Sequence, residues 1–591
     1  MKEIKRIFWR YKIQILLVLF LILLISKVTY HSDVVNAAKL TEVIINGNFG
    51  LVQEGPTGEL IYPSFFPPVF HFIDALIYWP LAKFGVYNFD LNNISYERFL
   101  SVGFLLKIRY LILFILSLFL VIGISKNYEK NDKNRNKIFL LWLICPLLIF
   151  IPFSWGNIDI YPVFLLLLFL LFSFKKKYIW AMLFLGLSAA TKNFGLFLIP
   201  VASLILSDKK LWKTIFYGLI GLSTYLIPLI LYSNVSTTFI TGGGEGLFIL
   251  QKRIFDGPLF FPLVYFLILL VLVVKQEINN FNKNEILVKY SFLTLSCFYL
   301  ASFFIPHWFL WIVPLFVLTA CKNRKLFYLY LILLFTFFIN LFSWGRNLDT
   351  NLFAVTFPRI NNLITINEII SKYFSDFKIF DIVYSLFFAS FLAYIYILFF
   401  DKEKKNDLTE KEIKVFSLLP LFIYLMICAT YVGGMTYLRN KKNVEWYDLG
   451  LVSRNEFIEP IVESKSFYQT FESPKDRLKG VNIYFSTYGK KVTSSYQFVL
   501  YEDNCKTELR KVNIAVDKIE DNKYREVLFD QIEGSNGKGY CFTVEPMTEN
   551  VETPVVLNYS KKGSYSMGEL ILDGENKKDE DIVFQLIYPI K

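Results

Sequence analysis

The chain has 591 residues, of which 54% are hydrophobic and 18% aromatic, and its mean hydropathy is +0.44. This composition excludes an ordinary soluble enzyme and indicates a polytopic α-helical membrane protein in contact with membrane lipids. The formal net charge is +12, but the lysines fall in short clusters between apolar runs, as the positive-inside rule expects of cytoplasmic loops. Nucleic acid is therefore not a predicted partner.

The first predicted element is a membrane anchor at the N-terminus. Residues 1–12 are basic, and the apolar stretch 13–28 that follows can cross a bilayer with short extensions. Because no small-residue cleavage site follows this stretch, we expect an uncleaved signal anchor whose N-terminus is cytoplasmic.

Further apolar runs continue to residue 435, and with the anchor they predict about thirteen membrane spans. An odd number of spans places the C-terminus outside the cytoplasm. The predicted cytoplasmic loops are the basic clusters 126–137, 175–177, 208–213, 275–289, 322–325 and 401–414.

Residues 65–87 are apolar but are interrupted by prolines and by His71, Asp74 and Lys83. If they crossed the bilayer, the basic cluster 126–137 would lie outside, against the positive-inside rule. We therefore predict an interfacial or re-entrant helix within a long first outer loop, which covers about residues 30–105.

Each pair of neighbouring cytoplasmic clusters brackets a hairpin whose midpoint must lie at the outer surface. Three of these midpoints lie at or beside ionisable residues. The first is Gly156, beside Asn157 and Asp159; the second is Lys192 itself; the third is Ile305, beside His307. The limb from residue 177 to 192 has about 15 residues and reaches about 22 Å, short of the roughly 30 Å hydrocarbon core. We therefore expect the Lys192 amine to lie below the outer surface, which makes it a candidate functional residue.

Asp33 follows the first span within a few residues. A carboxylate at this interface could serve as a general base toward a sugar or lipid hydroxyl, if burial raises its pKa. The sequence also leaves open an interpretation without function for each candidate. These are a solvated acid for Asp33, a solvated turn residue for Asp159, a snorkelling amine for Lys192 and an aromatic-belt residue for His307.

The histidines and cysteines show no ligand spacing typical of a structural metal site, so neither a metal nor another cofactor is predicted. The glycine-rich segment 242–246 lacks the Lys-Ser/Thr of a phosphate-binding P-loop. Four cysteines lie in or at the ends of apolar runs and are expected to be small core residues: Cys145, Cys297, Cys321 and Cys428.

From about residue 440 the composition changes to alternating strands separated by polar turns. This pattern predicts an extracytoplasmic β-sandwich domain over residues 440–591, after a transmembrane domain over residues 1–435. Cys505 and Cys541 lie in the predicted sandwich and could pair if that region is outside the cytoplasm.

Five short motifs in this order resemble those of the GT-C membrane glycosyltransferases, especially the bacterial proteins related to mannosyltransferases that use polyprenyl-phosphate sugars. The motifs are Ser32-Asp33 with Gly47, Tyr62-Pro63-Ser64-Phe65-Phe66-Pro67-Pro68, Gly156-Asn157-Ile158-Asp159, Thr191-Lys192-Asn193 with Pro200, and His307-Trp308-Phe309-Leu310-Trp311-Ile312-Val313-Pro314. They span about residues 10–345. The chain departs from the family pattern in the split Tyr-Pro-Pro element, in Asn157 where Gln is usual, and in a shortened His307 segment.

The resemblance implies an inverting transfer of a sugar from a polyprenyl-phosphate donor to a glycan, lipid or protein acceptor, on the outer face of a bacterial plasma membrane. It implies Asp33 as the general base, with Asp159 orienting the acceptor or the donor. Lys192 would hold the donor phosphate, and His307 would bind that phosphate or sugar hydroxyls. The other implied substrate-binding residues are Tyr62 and Asn157. Beyond the range of the resemblance, Arg346 in Trp344-Gly345-Arg346-Asn347 is a further candidate for the phosphate, or could instead be an interfacial arginine.

Two other classes of protein are weighed against this interpretation. A lipid-linked oligosaccharide flippase, or a transporter of cell-surface polysaccharide, would need coupling residues near the membrane midplane and paired repeats, and neither is evident in the sequence. A non-catalytic surface scaffold would need only an anchor, for which about thirteen spans are too many.

Overall fold

The computed structural model divides into two compact units. One unit comprises Met1–Ile94, Arg98–Thr356 and Thr365–Cys428, and the other Ser95–Glu97, Phe357–Ile364 and Ala429–Lys591. The structure describes residues 2–29, 31, 33–35, 37–38, 41, 69–86, 103–231, 259–274, 283–301, 305–348, 351–353, 365–373, 379–401, 408–440, 444–448, 456–457, 467–487, 492, 495–502, 505–515, 519, 523–547, 556–561, 568–577 and 580–589.

The regular secondary structure described up to residue 440 is almost entirely helical, with turns between the helices. Its α-helices are α1 (Lys2–Arg10), α2 (Lys12–Val28), α3 (Val69–Lys83), α4 (Ile108–Tyr128), α5 (Asp132–Leu143), α6 (Pro146–Ile149), α7 (Ile160–Phe174), α8 (Tyr178–Ala189), α9 (Phe194–Leu206), α10 (Leu211–Leu231), α11 (Phe260–Val274), α12 (Lys283–Ala301), α13 (Val313–Ala320), α14 (Arg324–Asn340), α15 (Ile366–Tyr373), α16 (Ile379–Phe400), α17 (Glu410–Phe416) and α18 (Leu419–Asn440). A π-helix covers Phe150–Trp155, and 3-10 helices cover Pro306–Ile312, Leu341–Leu348 and Asn351–Phe353.

Five stretches of helix in the described residues are long and apolar enough to cross a membrane: Gly103–Tyr128, Asp132–Trp155, Arg324–Trp344, Ile379–Phe400 and Glu410–Gly434. A sixth is added if α1 and α2, which meet at an angle of 72°, form one span. Five more apolar helices have only 10–17 residues. Length and composition therefore support a polytopic membrane protein but do not reach the predicted number of thirteen spans.

Several helices turn large apolar side chains outward. Trp212, Phe216 and Leu219 of α10 are exposed, as are Phe266 and Leu270 of α11. A water-soluble protein rarely leaves such large apolar patches uncovered, whereas lipid tails cover them at no cost. These faces fit a location in the membrane.

Described residues of five of the six basic clusters predicted to be cytoplasmic lie together at one end of the helices. Ion pairs link them to one another and to the N-terminal helix: Arg6–Asp132 at 3.0 Å, Arg10–Glu410 at 2.8 Å, Lys283–Asp208 at 2.5 Å, Lys322–Glu285 at 3.1 Å and Lys325–Asp401 at 3.3 Å. We refer to this end as the ion-pair end. The chain leaves it along α5 and returns to it along α7, so the turn between them lies at the opposite end.

The segment 65–87, predicted to be an interfacial or re-entrant helix, contains the helix α3, which is shorter than that segment. Its polar residues His71 and Asp74 are buried rather than facing water. Asp74 accepts hydrogen bonds from Arg109 of α4 and Tyr161 of α7, so α3 is held against both helices.

The described strands beyond residue 440 form two antiparallel sheets. The strands are β1 (Val444–Asp448), β2 (Glu456–Phe457), β3 (Phe467–Glu472), β4 (Leu478–Ser486), β5 (Tyr496–Glu502), β6 (Thr507–Ile514), β7 (Lys523–Ile532), β8 (Gly539–Pro546), β9 (Val556–Lys561), β10 (Leu570–Leu572), β11 (Glu575–Lys577), β12 (Glu580–Ile582) and β13 (Phe584–Pro589). One sheet has the order β1-β13-β4-β9-β12, with β2 beside β9 and β7 beside β4, and the other has the order β11-β10-β3-β8-β5-β6.

Aromatic side chains from both sheets share one core. The ring of Phe584 lies 5.1 Å from Phe542 and 5.7 Å from Phe471, which belong to the other sheet. A register shift in β4 occurs at Gly480, where a Cβ would lie 2.5 Å from the Val527 carbonyl oxygen, so only glycine fits. The strand alternation thus predicted the β-structure correctly.

The two cysteines of the predicted polar region are paired. Cys505, which precedes β6, forms a disulfide with Cys541 of β8. The other four cysteines are free and buried. Both expectations from the sequence are confirmed.

Candidate functional site

The turn between the π-helix and α7 brings two segments of the chain together. A π-helix has a wider turn than an α-helix and often marks a functional region. The chain leaves it through Gly156, whose φ is +83°. A Cβ at this position would lie 2.9 Å from Cβ of Val34, so glycine is required both by the backbone angle and by the close approach of the Asp33 segment.

The Asp33 carboxylate is held by side chains of the turn on the opposite segment. Its Oδ2 accepts hydrogen bonds from Trp155 Nε1 at 3.0 Å and from Asn157 Nδ2 at 3.3 Å, and its Oδ1 lies 3.3 Å from His31 Nδ1. The side chain is 22% exposed. The carboxylate is therefore fixed in direction and still open to a ligand on one side.

The pKa of Asp33 does not move in the direction that the sequence led us to expect. Burial raises this pKa, but the hydrogen bond and charge of His31, the charge of His307 and the Asn157 amide together outweigh burial and lower it. The expectation of a raised pKa is thus wrong, because the contacts that fix the carboxylate also favour its charged form.

Asp159 is fully buried, so the alternative of a solvated turn residue is wrong for it. Lys192 Nζ lies 3.5 Å from its Oδ1, and His307 Nε2 lies 3.9 Å from its Oδ2. Burial raises the pKa of Asp159 to about 6, against the lowering effect of the Lys192 charge. The structure therefore joins three of the predicted site residues in one cluster.

Asn157 connects the two acids. Its Nδ2 donates to Asp33, and its Oδ1 accepts a hydrogen bond of 3.1 Å from the backbone N–H of Asp159. An amide can do both at once because it carries a donor and an acceptor. The position of each carboxyl group is thereby coupled to the other.

The Lys192 and His307 side chains approach the cluster from separate hairpins. Lys192 follows α8, which has 12 residues and a length of about 18 Å, less than the roughly 30 Å hydrocarbon core. Its side chain is only 12% exposed, so the snorkelling alternative does not describe it. His307 begins the next hairpin turn, in a 3-10 helix, and its ring stands edge-on to Trp155 at 5.0 Å.

Trp155 is a central residue of the site that the sequence did not single out. Besides its hydrogen bond to Asp33, its indole contacts the rings of both His31 and His307. The signal in the sequence that could have indicated this role is the position of Trp155 directly before Gly156 in the predicted outer turn. An aromatic residue at a membrane interface is common, however, and the sequence alone does not distinguish this role.

Two buried cations at the start of α4 also escaped prediction. Lys107 donates to the carbonyls of Thr29 at 2.8 Å and Phe153 at 2.7 Å. Arg109 pairs with Asp74 and donates to the Val34 carbonyl at 3.0 Å. The signal in the sequence was a Lys-x-Arg pair that opens an apolar run outside the predicted cytoplasmic clusters.

Two predicted substrate-binding residues are not characterised by the structure. Tyr62 lies outside the described residues, and so does the glycine-rich segment 242–246. Arg346 lies in the 3-10 helix Leu341–Leu348, but its side chain is outside the described part. Across the described residues, no group of three or more His, Cys, Asp and Glu side chains lies together as a metal ion would require.

The helices and this site define a polytopic membrane protein with a cluster of acidic and basic side chains where its hairpin turns meet. Residues 76–244 match the model of glycosyltransferase family 87, a range that contains Lys107, Asn157, Asp159 and Lys192. This match covers part of the chain and supports the resemblance to GT-C membrane glycosyltransferases noted in its motifs.

Among solved structures, the chain is similar to the arabinosyltransferase EmbB from Mycobacterium smegmatis, determined by single-particle cryo-EM. The identity is 11% and the TM-score 0.36, and the similarity covers 92% of this chain. The chain spans 63% of the length of that arabinosyltransferase. No curated protein sequence matches the chain significantly.

Proposed function

We propose that the protein transfers a sugar from a polyprenyl-phosphate-linked donor to a glycan, lipid or protein acceptor of the cell envelope, on the outer face of the membrane, with inversion at the anomeric carbon. The observation that carries this proposal is the Asp33 carboxylate, which is fixed by Trp155 and Asn157 and adjoins a cluster of Asp159, Lys192 and His307. Such a site combines a carboxylate base with a lysine ammonium and an imidazole, both of which can bind a phosphate oxygen.

In the proposed reaction, Asp33 accepts the proton of the acceptor hydroxyl as its oxygen attacks the anomeric carbon. The bond between that carbon and the phosphate oxygen breaks, and polyprenyl phosphate leaves with the electron pair. The lowered pKa keeps Asp33 ionised but also makes it a weaker base than an ordinary carboxylate, so its role depends on the fixed geometry. A fixed, partly exposed carboxylate also needs little reorganisation when the acceptor arrives.

Lys192 and His307 are proposed to bind the donor phosphate. The leaving group gains negative charge, and a buried cation stabilises such charge by about 3 to 4 kcal/mol, the effect of one lost oxyanion contact. Lys192 has Asp159 as its resting partner, so the donor would share or replace that contact. His307 Nδ1 is buried and has no hydrogen-bond partner among the described residues, which leaves it available to a donor oxygen or sugar hydroxyl.

Asp159 and Asn157 are proposed to orient the reacting groups, since Asn157 couples the positions of both acids. We retain Tyr62 as a proposed substrate-binding residue because of the motif resemblance, and Arg346 as a further candidate for the phosphate. No metal or other cofactor enters the proposal.

The proposed topology is that of a bacterial plasma-membrane protein with about thirteen spans and a cytoplasmic N-terminus. The domain boundaries are residues 1–435 for the membrane domain and 440–591 for an extracytoplasmic β-sandwich. Basic residues gathered at the ion-pair end suit the cytoplasmic side. The disulfide Cys505–Cys541 suits an oxidising compartment for the C-terminal region.

The test is a transfer assay with the full chain in proteoliposomes, supplied with radiolabelled polyprenyl-phosphate sugars and a panel of envelope glycan and lipid acceptors. We expect one donor and acceptor pair to give a labelled product and free polyprenyl phosphate in equal amounts. Movement of the intact labelled lipid across the bilayer without sugar transfer would instead support the flippase or transporter alternative.

A further inference from the structure

Lys107 is a buried lysine that has no acidic partner in the part of the chain that the structure describes. Only 1% of the residue is exposed. Its Nζ lies 2.8 Å from the Thr29 carbonyl, 2.7 Å from the Phe153 carbonyl, and 3.4 Å from both the Ser26 carbonyl and the Thr29 hydroxyl. Burying a charge without compensation costs several kcal/mol, so these oxygens must replace the water that the ammonium has lost.

The carbonyls around Lys107 are suited to a cation. Thr29 is the C-cap of α2, where unpaired carbonyls and the helix dipole concentrate negative charge. An ammonium has three N–H donors, and here each one points to oxygen atoms of the protein itself. Lys107 therefore has no donor left for a substrate.

The two strongest contacts of Lys107 join the two segments that build the Asp33 site. Thr29 lies just before Asp33 in the chain, and Phe153 lies just before Trp155 and Asn157, whose side chains hold the Asp33 carboxylate. The side-chain stem of Lys107 also passes the turn, since a Cβ on Gly156 would lie 3.6 Å from Lys107 Cε.

We propose that Lys107 is a positioning residue for catalysis, which acts by tying the end of α2 to the π-helix so that Asp33 meets Trp155 and Asn157 in the reactive geometry. The inference rests on the proposed function, because it requires Asp33 to be the base. Arg109 supports the same segment from the Val34 carbonyl, but its charge is balanced by Asp74, whereas that of Lys107 is not.

The experiment is a double-mutant cycle in proteoliposomes with Lys107→Met, Asp33→Asn and the double variant, in which kcat and the donor Kd are measured. We expect Lys107→Met to lower kcat by about 10- to 100-fold, since a displacement of about 1 Å can cost about 100-fold in rate. The donor Kd should stay within about twofold of wild type. The double variant should be no slower than Asp33→Asn, because Lys107 acts through Asp33.

The matched control is Lys283→Met, which removes another buried lysine, at the ion-pair end, and should leave kcat unchanged. A kcat of Lys107→Met within twofold of wild type overturns the inference. The inference is also overturned if Lys107→Met weakens donor affinity as much as it lowers kcat, or if the kcat losses of the two single variants multiply in the double variant. Either result indicates a general structural role for Lys107. If instead Asp33→Asn keeps wild-type turnover, the proposed base is wrong and the inference fails with it.

A second variant covers the case in which Lys107→Met does not fold. Gly156→Ala places a Cβ against Val34 and strains the turn, while the buried charge and its partners remain. We expect it to lower kcat with an unchanged donor Kd. Wild-type kcat in a folded Gly156→Ala protein overturns the inference.

Discussion

Asn157 donates a hydrogen bond of 3.3 Å to the carboxylate of Asp33, and the two residues are 124 positions apart in the chain. The same amide accepts the backbone N–H of Asp159. A single side chain thus sets the relative position of the two acids of the site. This relationship makes Asn157 a sensitive position for turnover.

Replacing this amide should slow the reaction more than it weakens donor binding. We expect Asn157→Ala to lower kcat by about 10- to 100-fold, since one hydrogen bond to a charged group contributes about 1.5 to 3 kcal/mol. The measurement is the initial rate at saturating donor, with the donor Kd from equilibrium binding. Asn127→Ala, an exposed asparagine on α4, is the control and should behave as wild type.

Removing the proposed base should abolish most transfer without unfolding the protein. General-base catalysis contributes about 10²- to 10⁴-fold, so Asp33→Asn should lower kcat by that range while the donor Kd changes little. Asp208→Asn is the matched acid-to-amide control, since Asp208 pairs with Lys283 at the ion-pair end. Full activity of Asp33→Asn in a protein with wild-type thermal stability would contradict the assignment.

Lys192 should contribute chiefly to binding and departure of the donor phosphate. Lys192→Ala is expected to reduce kcat/KM for the donor by about 10²- to 10³-fold, the range for losing one charge-stabilising contact. Lys192→Arg should recover part of this loss because the positive charge is kept. Lys177→Ala, an exposed lysine at the other end of α8, is the control. Unchanged donor affinity in Lys192→Ala would rule out the phosphate role.

The two acids should titrate separately, because their surroundings shift the pKa in opposite directions. Asp33 has a lowered pKa, so it remains ionised down to below the ordinary value of 3.8, whereas Asp159 has a pKa of about 6. We expect an inflection near pH 6 in the rate profile that disappears in Asp159→Asn. An inflection that persists in this variant would show that another group titrates there.

The raised pKa of Asp159 also predicts the sign of a stability effect. The pKa of Asp159 is higher in the folded than in the unfolded protein, so the protonated carboxyl favours the folded state. This contribution to the free energy of unfolding is fully present below pH 3.8 and is lost as the pH rises through about 6. Asp159→Asn should therefore raise the thermal unfolding midpoint relative to wild type at pH 7.5, and the difference should shrink toward pH 4. Differential scanning fluorimetry in detergent measures both midpoints. A difference that does not depend on pH would contradict the assignment of the pKa.

Loss of the disulfide should destabilise the C-terminal β-structure. The bond closes a loop with a sequence separation of 36, and such bonds typically stabilise a domain by about 2–4 kcal/mol. We expect Cys505→Ala with Cys541→Ala to increase proteolysis of this region, whereas Cys297→Ala, a buried cysteine of α12, should not.

Protection of the region from protease in intact cells, with cleavage only after lysis, would contradict its extracytoplasmic placement.

By itself, the sequence predicted the class of protein and the positions of the hairpin turns, and it allowed the pairing of Cys505 with Cys541, because hydropathy, charge clusters and strand alternation are local properties of the chain. It also predicted that Asp159, Lys192 and His307 lie at the same end of their hairpins, since hairpin midpoints follow from the spacing of the basic clusters. These residues were predictable as a group, although their mutual distances were not.

Tertiary structure alone decided which groups surround each acid. The contact between Trp155 and Asp33 joins positions 122 apart, and that between Lys107 and Phe153 joins positions 46 apart. A pKa depends on such contacts and on burial, so the sequence led to the wrong direction for Asp33. Lys107, Arg109 and Asp74 were missed for the same reason: a charge in an apolar run is costly, and only the packed fold shows which oxygen atoms compensate for it.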